Sequence, residues 1–391
     1  MTGTHDHGPA DTVRQLSRRS FLAVAAGSVA ACSLGSDPVV ATTASREATA
    51  DTPARELRGT WRVPGEHVRH RRTWMAWPSS WAIWGNWLPG VQQDIALIAR
   101  TIARYEPVVM CATDADAARK ARRWCGRNVT VIDTIPVDDC WMRDTGPVFR
   151  KARNGTLGAL GLGFNGWGDR QTHIDDARVA HRVARRRSAR FEAADIVGEG
   201  GGIECDGDGT LMATESCWVN DNRNPGKTRG QIERELLREY GAKKMIWVPG
   251  LRDRDITDDH IDATSRFVGP GVVMVQVPPR SRDDMWARDA RQQLRILSRA
   301  KDARRRSLKV IEMAGPREVR SSAKGFLDSY VNFALTNGAV ITAQFGDRDR
   351  DRECRQTLRE AFPGREVVQL NVDRLHRGGG GIHCVTQQEP T

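Results

Sequence analysis

Apolar residues recur at helical spacing through Gly90–Arg104, where Val91, Ile95, Ile98 and Ile102 share one face. The same periodicity predicts helices over Ala115–Cys125, Asp176–Arg187, Gly230–Tyr240, Met285–Ala300 and Arg350–Ala361. Between them lie short, apolar or β-branched runs that read as strands: Thr73–Trp77, Pro107–Met110, Val129–Ile135, Lys244–Val248, Lys309–Met313, Val331–Leu335, Ala339–Gln344 and Val367–Leu370. Turn pairs at Asn154-Gly155, Asp208-Gly209 and Asn337-Gly338 predict hairpins, as does the glycine-bearing break between Arg266–Val268 and Val272–Val277. Two short strands, a helix and a third strand thus recur about every sixty residues. The phrase Gly200-Gly201-Gly202-Ile203-Glu204-Cys205 returns, with one change, as Gly379-Gly380-Gly381-Ile382-His383-Cys384. A repeat-built α/β fold follows, and the mixed order of hairpins and helices fits neither a doubly wound sheet nor a TIM barrel.

The last strand signal, Gly378–Gln388, delivers Cys384 from a run of four glycines. Such a run makes sense where a substrate or another backbone must approach the main chain. Cys384 is therefore either a nucleophile or a small buried residue at a strand end. Charge is concentrated at other apparent strand ends: Trp141-Met142-Arg143-Asp144, Glu199-Gly200-Gly201 and Asp258-Asp259-His260-Ile261-Asp262. On a strand, His260 and Asp262 would face the same side, forming an oriented general base or a pair of metal ligands. The cysteine and the glycine runs favour covalent chemistry over a metal.

Composition adds limits. A hydrophobic fraction of 39% and twelve tryptophans suit a globular domain. The net charge of +11 comes with arginine-rich stretches at Arg182–Arg190 and Lys301–Arg306, read as solvated helix faces. They lack aromatic interleaving and any nucleic-acid motif, so no nucleic-acid partner is expected. Ser17-Arg18-Arg19-Ser20 before the apolar run Phe21–Ala31 reads as a twin-arginine export signal, too short to span a bilayer. Val29-Ala30-Ala31-Cys32 resembles a lipobox, which would lipidate Cys32 and attach the chain to a membrane; cleavage after Ala48-Thr49-Ala50 is the alternative. The expected organisation is a signal over residues 1–32, a polar tether over 33–58 and one catalytic domain over 59–391. Six further cysteines (Cys111, Cys125, Cys140, Cys205, Cys217 and Cys354) show no metal-ligand spacing and read mostly as small core residues.

Taken together, several segments resemble the agmatine deiminase family, grouped with bacterial peptidyl-arginine deiminases in the guanidine-modifying superfamily. They are Met75-Ala76-Trp77-Pro78, Asp139–Pro147, Phe164-Asn165-Gly166-Trp167-Gly168, Glu199-Gly200-Gly201, Asn222-Arg223-Asn224-Pro225, Thr257–Asp262, Ala343–Asp347 and Gly378–Gln388. The resemblance implies a pentein-like, five-bladed pseudo-symmetric α/β propeller and hydrolysis of a guanidinium to a ureido group plus ammonia, with no metal or cofactor. It implies Asp144 and Asp262 as a carboxylate clamp, Cys384 as nucleophile, and His260 as acid and then base. Glu199 would bond to His260 or the substrate. Trp141 would wall the alkyl stem, which Gly379, Gly380 and Gly381 let pass close to the backbone. The family pattern usually has histidine where Glu204 stands, so Glu204 either alters the pH behaviour or simply faces solvent. Agmatine is the expected small-molecule partner. Peptidyl-arginine or another guanidine is the enzymatic alternative, and a non-catalytic guanidine-binding lipoprotein is the other. The sequence leaves the oligomeric state open.

Overall fold

A computed structural model describes residues 61–391. The expected export signal, Cys32 and the tether lie outside the described residues. Among those described, no helix is long and apolar enough to cross a membrane.

The hairpin signals sit where the structure turns. Around Asn154-Gly155, strand β4 (Val148–Lys151) pairs antiparallel with β5 (Leu157–Gly161), and β6 (Arg190–Ala193) joins β5 in parallel. Strands β7 (Ile203–Cys205), β8 (Thr210–Thr214) and β9 (Lys244–Val248) repeat that arrangement. So do β10 (Ser265–Gly269), β11 (Val272–Val277) and β12 (Lys309–Ala314), and β13 (Ala334–Leu335), β14 (Ala339–Ala343) and β15 (Glu366–Leu370). In each unit one main helix carries the chain to the third strand: Asp176–Arg186, Arg229–Tyr240, Met285–Leu297 and Arg348–Ala361. The fifth sheet joins the two ends of the domain. The final strand, β16 (Gln387–Pro390), runs antiparallel to β1 (His70–Ala76), which is followed in parallel by β2 (Val108–Cys111) and β3 (Val129–Ile132). Four three-stranded sheets and one of four strands make the repeat-built α/β fold that the periodicity predicts, of the pentein-like kind that the resemblance implies.

Local chemistry fixes these elements. Helix Arg229–Tyr240 begins at a capping box, in which the Thr228 side chain accepts from the Gln231 amide while the Gln231 side chain accepts from the Thr228 amide. It stops at Gly241, which is left-handed (φ 63°) and so close to the chain that a Cβ would lie 2.0 Å from the Trp61 carbonyl oxygen. Its apolar face buries Ile232, Leu236 and Tyr240 against Leu211, Met245 and Trp247. Each fully buried side chain of this size contributes about 1.5–3 kcal/mol.

The segments just before the first strand of each unit contact one another in a closed ring. The Arg143 amide donates to the Cys384 carbonyl at 3.0 Å, and the Gly201 amide to Asp144 Oδ1 at 3.0 Å. His260 Nε2 meets Glu199 Oε2 at 3.2 Å, and Asn332 Nδ2 donates to the Asp262 carbonyl at 3.2 Å. The His383 amide donates to Asn332 Oδ1 at 3.0 Å and closes the circuit. The two glycine phrases occupy equivalent places in this ring.

Three local expectations need correction. The last strand covers only Gln387–Pro390, because Cys384 lies in a turn where the Thr386 amide bonds back to the His383 carbonyl at 3.0 Å. His260 and Asp262 are not on a strand: His260 is extended and Ile261–Ala263 form one 3₁₀ turn. Lys301–Arg306 is a turn beyond the helix end at Leu297, tied by Asp302 accepting from the Arg304 and Arg306 amides at 2.9 Å each.

Candidate active site

Asp144 ends a single helical turn, Met142–Thr145, and is buried. Its Oδ1 accepts from Gly201, and its Oδ2 accepts from Trp167 Nε1 at 3.0 Å. Trp167 sits at φ 56° between Gly166 (φ 68°) and Gly168 (φ 81°), a left-handed run that a bulky residue adopts only under constraint. A Cβ on Gly201 would come within 2.7 Å of His260 Nδ1, 2.9 Å of Asp144 Oδ1 and 3.1 Å of Asp262 Oδ2. Three of the residues singled out in the sequence therefore converge on one glycine, and glycine is needed there for space.

His260 lies between carboxylates, with Nδ1 at 3.8 Å from Asp144 Oδ1 and Nε2 at 3.2 Å from Glu199 Oε2. Burial opposes its protonation. Asp144, the Cys217 thiol and Glu199 outweigh burial and raise its pKa well above the ordinary histidine value. Asp144 is pushed up to about 6 by burial, helped by Glu199 and Asp262 and opposed by His260. Glu199 is completely buried, yet Arg223 and His260 overcome that burial and hold its carboxyl below the usual range. Arg223 Nε contacts both Glu199 oxygens at 2.9 Å, its Nη1 reaches Asp258 Oδ2 at 2.8 Å and its Nη2 the Thr257 carbonyl at 3.0 Å. The sequence names Arg223 only as part of the Asn222–Pro225 segment, with no role. The structure makes it the fully buried counter-ion of Glu199, and its place in the Asn222–Pro225 motif was the signal.

Glu199, Cys217 and His260 bring their ligand atoms within 4.8 Å of one another, a spacing that could hold a metal ion. Arg223, at 2.9 Å from the same carboxylate, competes electrostatically with any cation placed there.

Half-buried Cys384 faces a different pair. Asn332 Nδ2 lies 3.3 Å from its Sγ, and the thiol points at Asp262 Oδ2 at 3.7 Å. Burial raises the thiol, and the charges of Asp262 and Asp144 raise it further. Burial acts against ionisation of Asp262, but the His383 hydrogen bond and the charges of His383, His260 and Arg266 keep it below the usual value. Asp262 Oδ2 is taken by His383 Nδ1 at 2.7 Å. Its Oδ1 is buried and has no hydrogen-bond partner among the described residues. Asn332 and His383 were not among the expected site residues; Asn332 stands outside any recognisable motif.

Trp141 is buried against Trp84, their ring centroids 5.9 Å apart. A Cβ on Gly380 would fall 2.3 Å from the Trp141 ring, whereas one on Gly379 (φ 88°) would meet only the Gly325 carbonyl at 3.7 Å. A Cβ on Gly381 would strike Asn332 Oδ1 at 2.5 Å. Glu204 is not solvent-facing: it is buried, ion-paired to Arg266 Nε at 2.5 Å, and accepts from the Phe267 amide at 2.9 Å. The six other described cysteines are free thiols, five of them buried and Cys205 half-buried, as the sequence reading expected.

Asp262 and Asp144 thus act on the Cys384 thiol, and His260 joins Asp144 to Glu199. Two carboxylates at a cysteine, backed by an imidazole, suit a small planar cation that can donate hydrogen bonds in a plane. Comparison with known proteins agrees. Residues 62–390 match the model of the Porphyromonas-type peptidyl-arginine deiminase family. The agmatine deiminase of Pseudomonas aeruginosa (strain LESB58) is 35% identical over 353 residues, covering 84% of this chain and 95% of that protein. The agmatine deiminase of Stutzerimonas stutzeri (strain A1501) is 35% identical over 352 residues, with coverage of 84% and 95%. The solved structure of agmatine deiminase from Enterococcus faecalis superposes with a TM-score of 0.81 at 28% identity, covering 88% of this chain and all of that one. The chain belongs to the Porphyromonas-type peptidyl-arginine deiminase family, as a hydrolase of guanidino C–N bonds.

Proposed function

We propose that this chain hydrolyses agmatine to N-carbamoylputrescine and ammonia through a covalent thiouronium on Cys384. The observation that carries this reading is the buried carboxylate of Asp262, whose Oδ2 lies 3.7 Å from the thiol and whose Oδ1 has no hydrogen-bond partner among the described residues. A buried carboxylate oxygen left without a donor costs about 1–3 kcal/mol, and a guanidinium N–H would satisfy it. Asp144 and Asp262 then clamp the cation. Its charge offsets the two carboxylates that add to the burial of the thiol, so the thiol proton passes to solvent on binding; the sulfur takes a proton back from the hydrated carbon's hydroxyl when the C–S bond later breaks. The thiolate attacks the guanidinium carbon. The C–N bond breaks as His260, held protonated by Asp144 and Glu199, donates to the departing ammonia. Neutral His260 then takes a proton from the water that attacks the thiouronium, the C–S bond breaks, and the ureido product leaves.

The charged groups near the site favour agmatine over free arginine. Arg143 is paired with Glu66 at 3.6 Å, and Arg223 with Glu199 and Asp258, so neither is free to meet an α-carboxylate. Agmatine should be turned over at least tenfold better in kcat/KM than arginine, about 1.4 kcal/mol. A second reading, deimination of arginine within a peptide, draws on the exposed Arg377, which stacks on Trp87 at 4.4 Å next to Gly378. Ammonia release from agmatine, free arginine and an arginine peptide decides between them. Turnover of either arginine substrate equal to that of agmatine would leave only the deiminase class standing.

Export through Arg18-Arg19 and lipidation of Cys32 belong to the same proposal and rest on the sequence alone. Replacing both arginines with lysine should trap unprocessed chain inside a host with twin-arginine export. A palmitate analogue should tag the exported form and fail to tag Cys32→Ala; a mature protein beginning near residue 51 would exclude the lipid.

A further inference from the structure

Below the catalytic ring, away from the thiol, lies a second buried cluster that the reaction as written does not use. Glu66 comes from the segment before β1, outside the hairpin units. Its Oε2 meets Arg266 Nη2 at 2.7 Å, His383 Nε2 at 2.9 Å and Arg143 Nη2 at 3.6 Å, and its Oε1 accepts from the Leu335 amide at 3.0 Å. The Glu66 carbonyl is itself held by His70 Nε2 at 2.8 Å. One acid therefore ties residues of four of the five units, and Glu204 of the remaining unit joins through Arg266. Arg266, Arg143 and His383 hold the Glu66 carboxyl well below its ordinary value against burial.

His383 connects the two clusters. Its Nε2 faces Glu66 and its Nδ1 faces Asp262 Oδ2 at 2.7 Å, while its backbone amide is fixed by Asn332. Both ring nitrogens face carboxylate oxygens, so the imidazole plane is set at two points. With Oδ2 engaged in this way, Oδ1 is the Asp262 oxygen without a partner among the described residues. We propose that Glu66 and His383 are positioning residues that set the Asp262 carboxylate for the guanidinium, the His383 ring bridging the core acid to the clamp. This rests on the reading of Asp262 as part of the clamp. Other groups act on Asp262: His260 and Arg266 by charge, the Cys384 thiol at 3.7 Å, and Asn332 at its carbonyl. Of these only Arg266 also pairs with Glu66, so Glu66 acts on Asp262 through two groups, and a change at His383 isolates the imidazole bridge.

The sign of the effect follows from that geometry. Removing the His383 donor raises Asp262, so a smaller fraction is carboxylate as pH falls. In His383→Gln the acid limb of kcat/KM on agmatine should move up by about one pH unit, with KM raised more than kcat is lowered. Glu66→Gln should shift the limb in the same direction by less. A merely structural role would lower Tm and active-enzyme yield while leaving the KM and pH profile of the folded fraction unchanged, and that result in both variants overturns the proposal. If neither variant folds, Asp262 is followed by carboxyl-carbon NMR in folded Cys384→Ala. Titration below the ordinary aspartate range supports the link, and titration at or above it overturns it. Asp262→Asn separates the two readings: if it keeps full activity, the clamp itself fails. If it is inactive while His383→Gln and Glu66→Gln are native in KM and pH profile, only the bridge fails.

Discussion

Gly200–Cys205 and Gly379–Cys384 spell nearly the same phrase, yet their cysteines end in opposite environments. After the first, pairing begins at once: Ile203–Cys205 form β7, with Cys205 opposite Leu211 and its thiol 3.5 Å from the Val63 carbonyl. After the second, pairing is delayed to Gln387, and Cys384 stays in the turn facing Asp262 and Asn332. Burial lifts both thiols, Cys205 to about 12 and Cys384 higher still. The difference lies in what could reverse the shift. Burial is the larger cause at both, and carboxylates add to both rises. At Cys384 they are Asp262 and Asp144, the pair a bound cation would offset, whereas at Cys205 they are Asp206 and Glu204, and Glu204 is already paired with Arg266. A few residues' delay in strand pairing separates a packing thiol from a reactive one.

The hardest test of that contrast is to remove each thiol in turn. Cys384→Ala should lose at least about a thousandfold in kcat with the Tm nearly native, whereas Cys205→Ala should keep kcat within about twofold. Cys384→Ser should resemble Cys384→Ala, because a hydroxyl is far harder to ionise. Residual activity of even about a tenth in either Cys384 variant would sink the covalent step.

Next come the carboxylates that make the difference. Asp262→Asn and Asp144→Asn should each cost about a hundredfold or more in kcat/KM through loss of charge at the clamp. Glu204→Gln, at the position equivalent to His383, should instead act on stability. It leaves Arg266 less compensated in the core, a loss of up to about 3–5 kcal/mol if the pair is fully broken. Steady-state kinetics and thermal melts on the same preparations distinguish these outcomes. A stable but inactive Glu204→Gln would place that residue in the chemistry after all.

Much of this architecture could be read from the chain, and what could not shares one cause. Helices and hairpins follow from local patterns, as at Ala115–Cys125, whose helix bounds match the periodicity, and at Asn154-Gly155. The ring depends on segments far apart in sequence meeting through single side chains. Asn332 and Glu66 each sit alone among ordinary neighbours, and although Arg223 lies in the Asn222–Pro225 motif, nothing local marks any of the three as buried. Charged residues are rarely buried unless paired, so an isolated Glu66 or Arg223 reads as solvent-facing until its partner is seen. The same reasoning keeps a solvent-facing Glu204 open as one of two alternatives. His260 and Asp262 were rightly placed together on the wrong backbone, because a 3₁₀ turn and a strand end look alike in so short a segment.

A moderate effect should come from the glycines. Gly201→Ala places a methyl 2.7 Å from His260 Nδ1 and 2.9 Å from Asp144 Oδ1, so the site must shift. A displacement of this order costs about a hundredfold in oriented chemistry. Gly379→Ala meets only a carbonyl at 3.7 Å, but its φ of 88° adds backbone strain of about 1 kcal/mol. It should lower Tm slightly and leave kcat within a few-fold. Equal losses in the two variants would mean that steric access at Gly201 is not what the first glycine phrase protects.

The smallest effect concerns pH and stability at Asp144. Its carboxyl is lifted from an ordinary value of 3.8 to about 6 in the folded chain, chiefly by burial. A group whose folded value is raised contributes stability at low pH and loses it as pH rises through the folded value. The window is therefore about pH 4 to 6: stability contributed by Asp144 falls across it and stays low above. The full swing implied by that shift is up to about 3 kcal/mol, reduced by coupling to His260. Asp144→Asn removes the titration, so its Tm relative to the parent should be more favourable at pH 8 than at pH 4.5. Cys205→Ala should show no such pH-dependent difference. A parent-minus-variant Tm difference that is flat from pH 4 to 8 would mean that Asp144 titrates near its ordinary value. The raised carboxyl would then be no part of the contrast between the two cysteines.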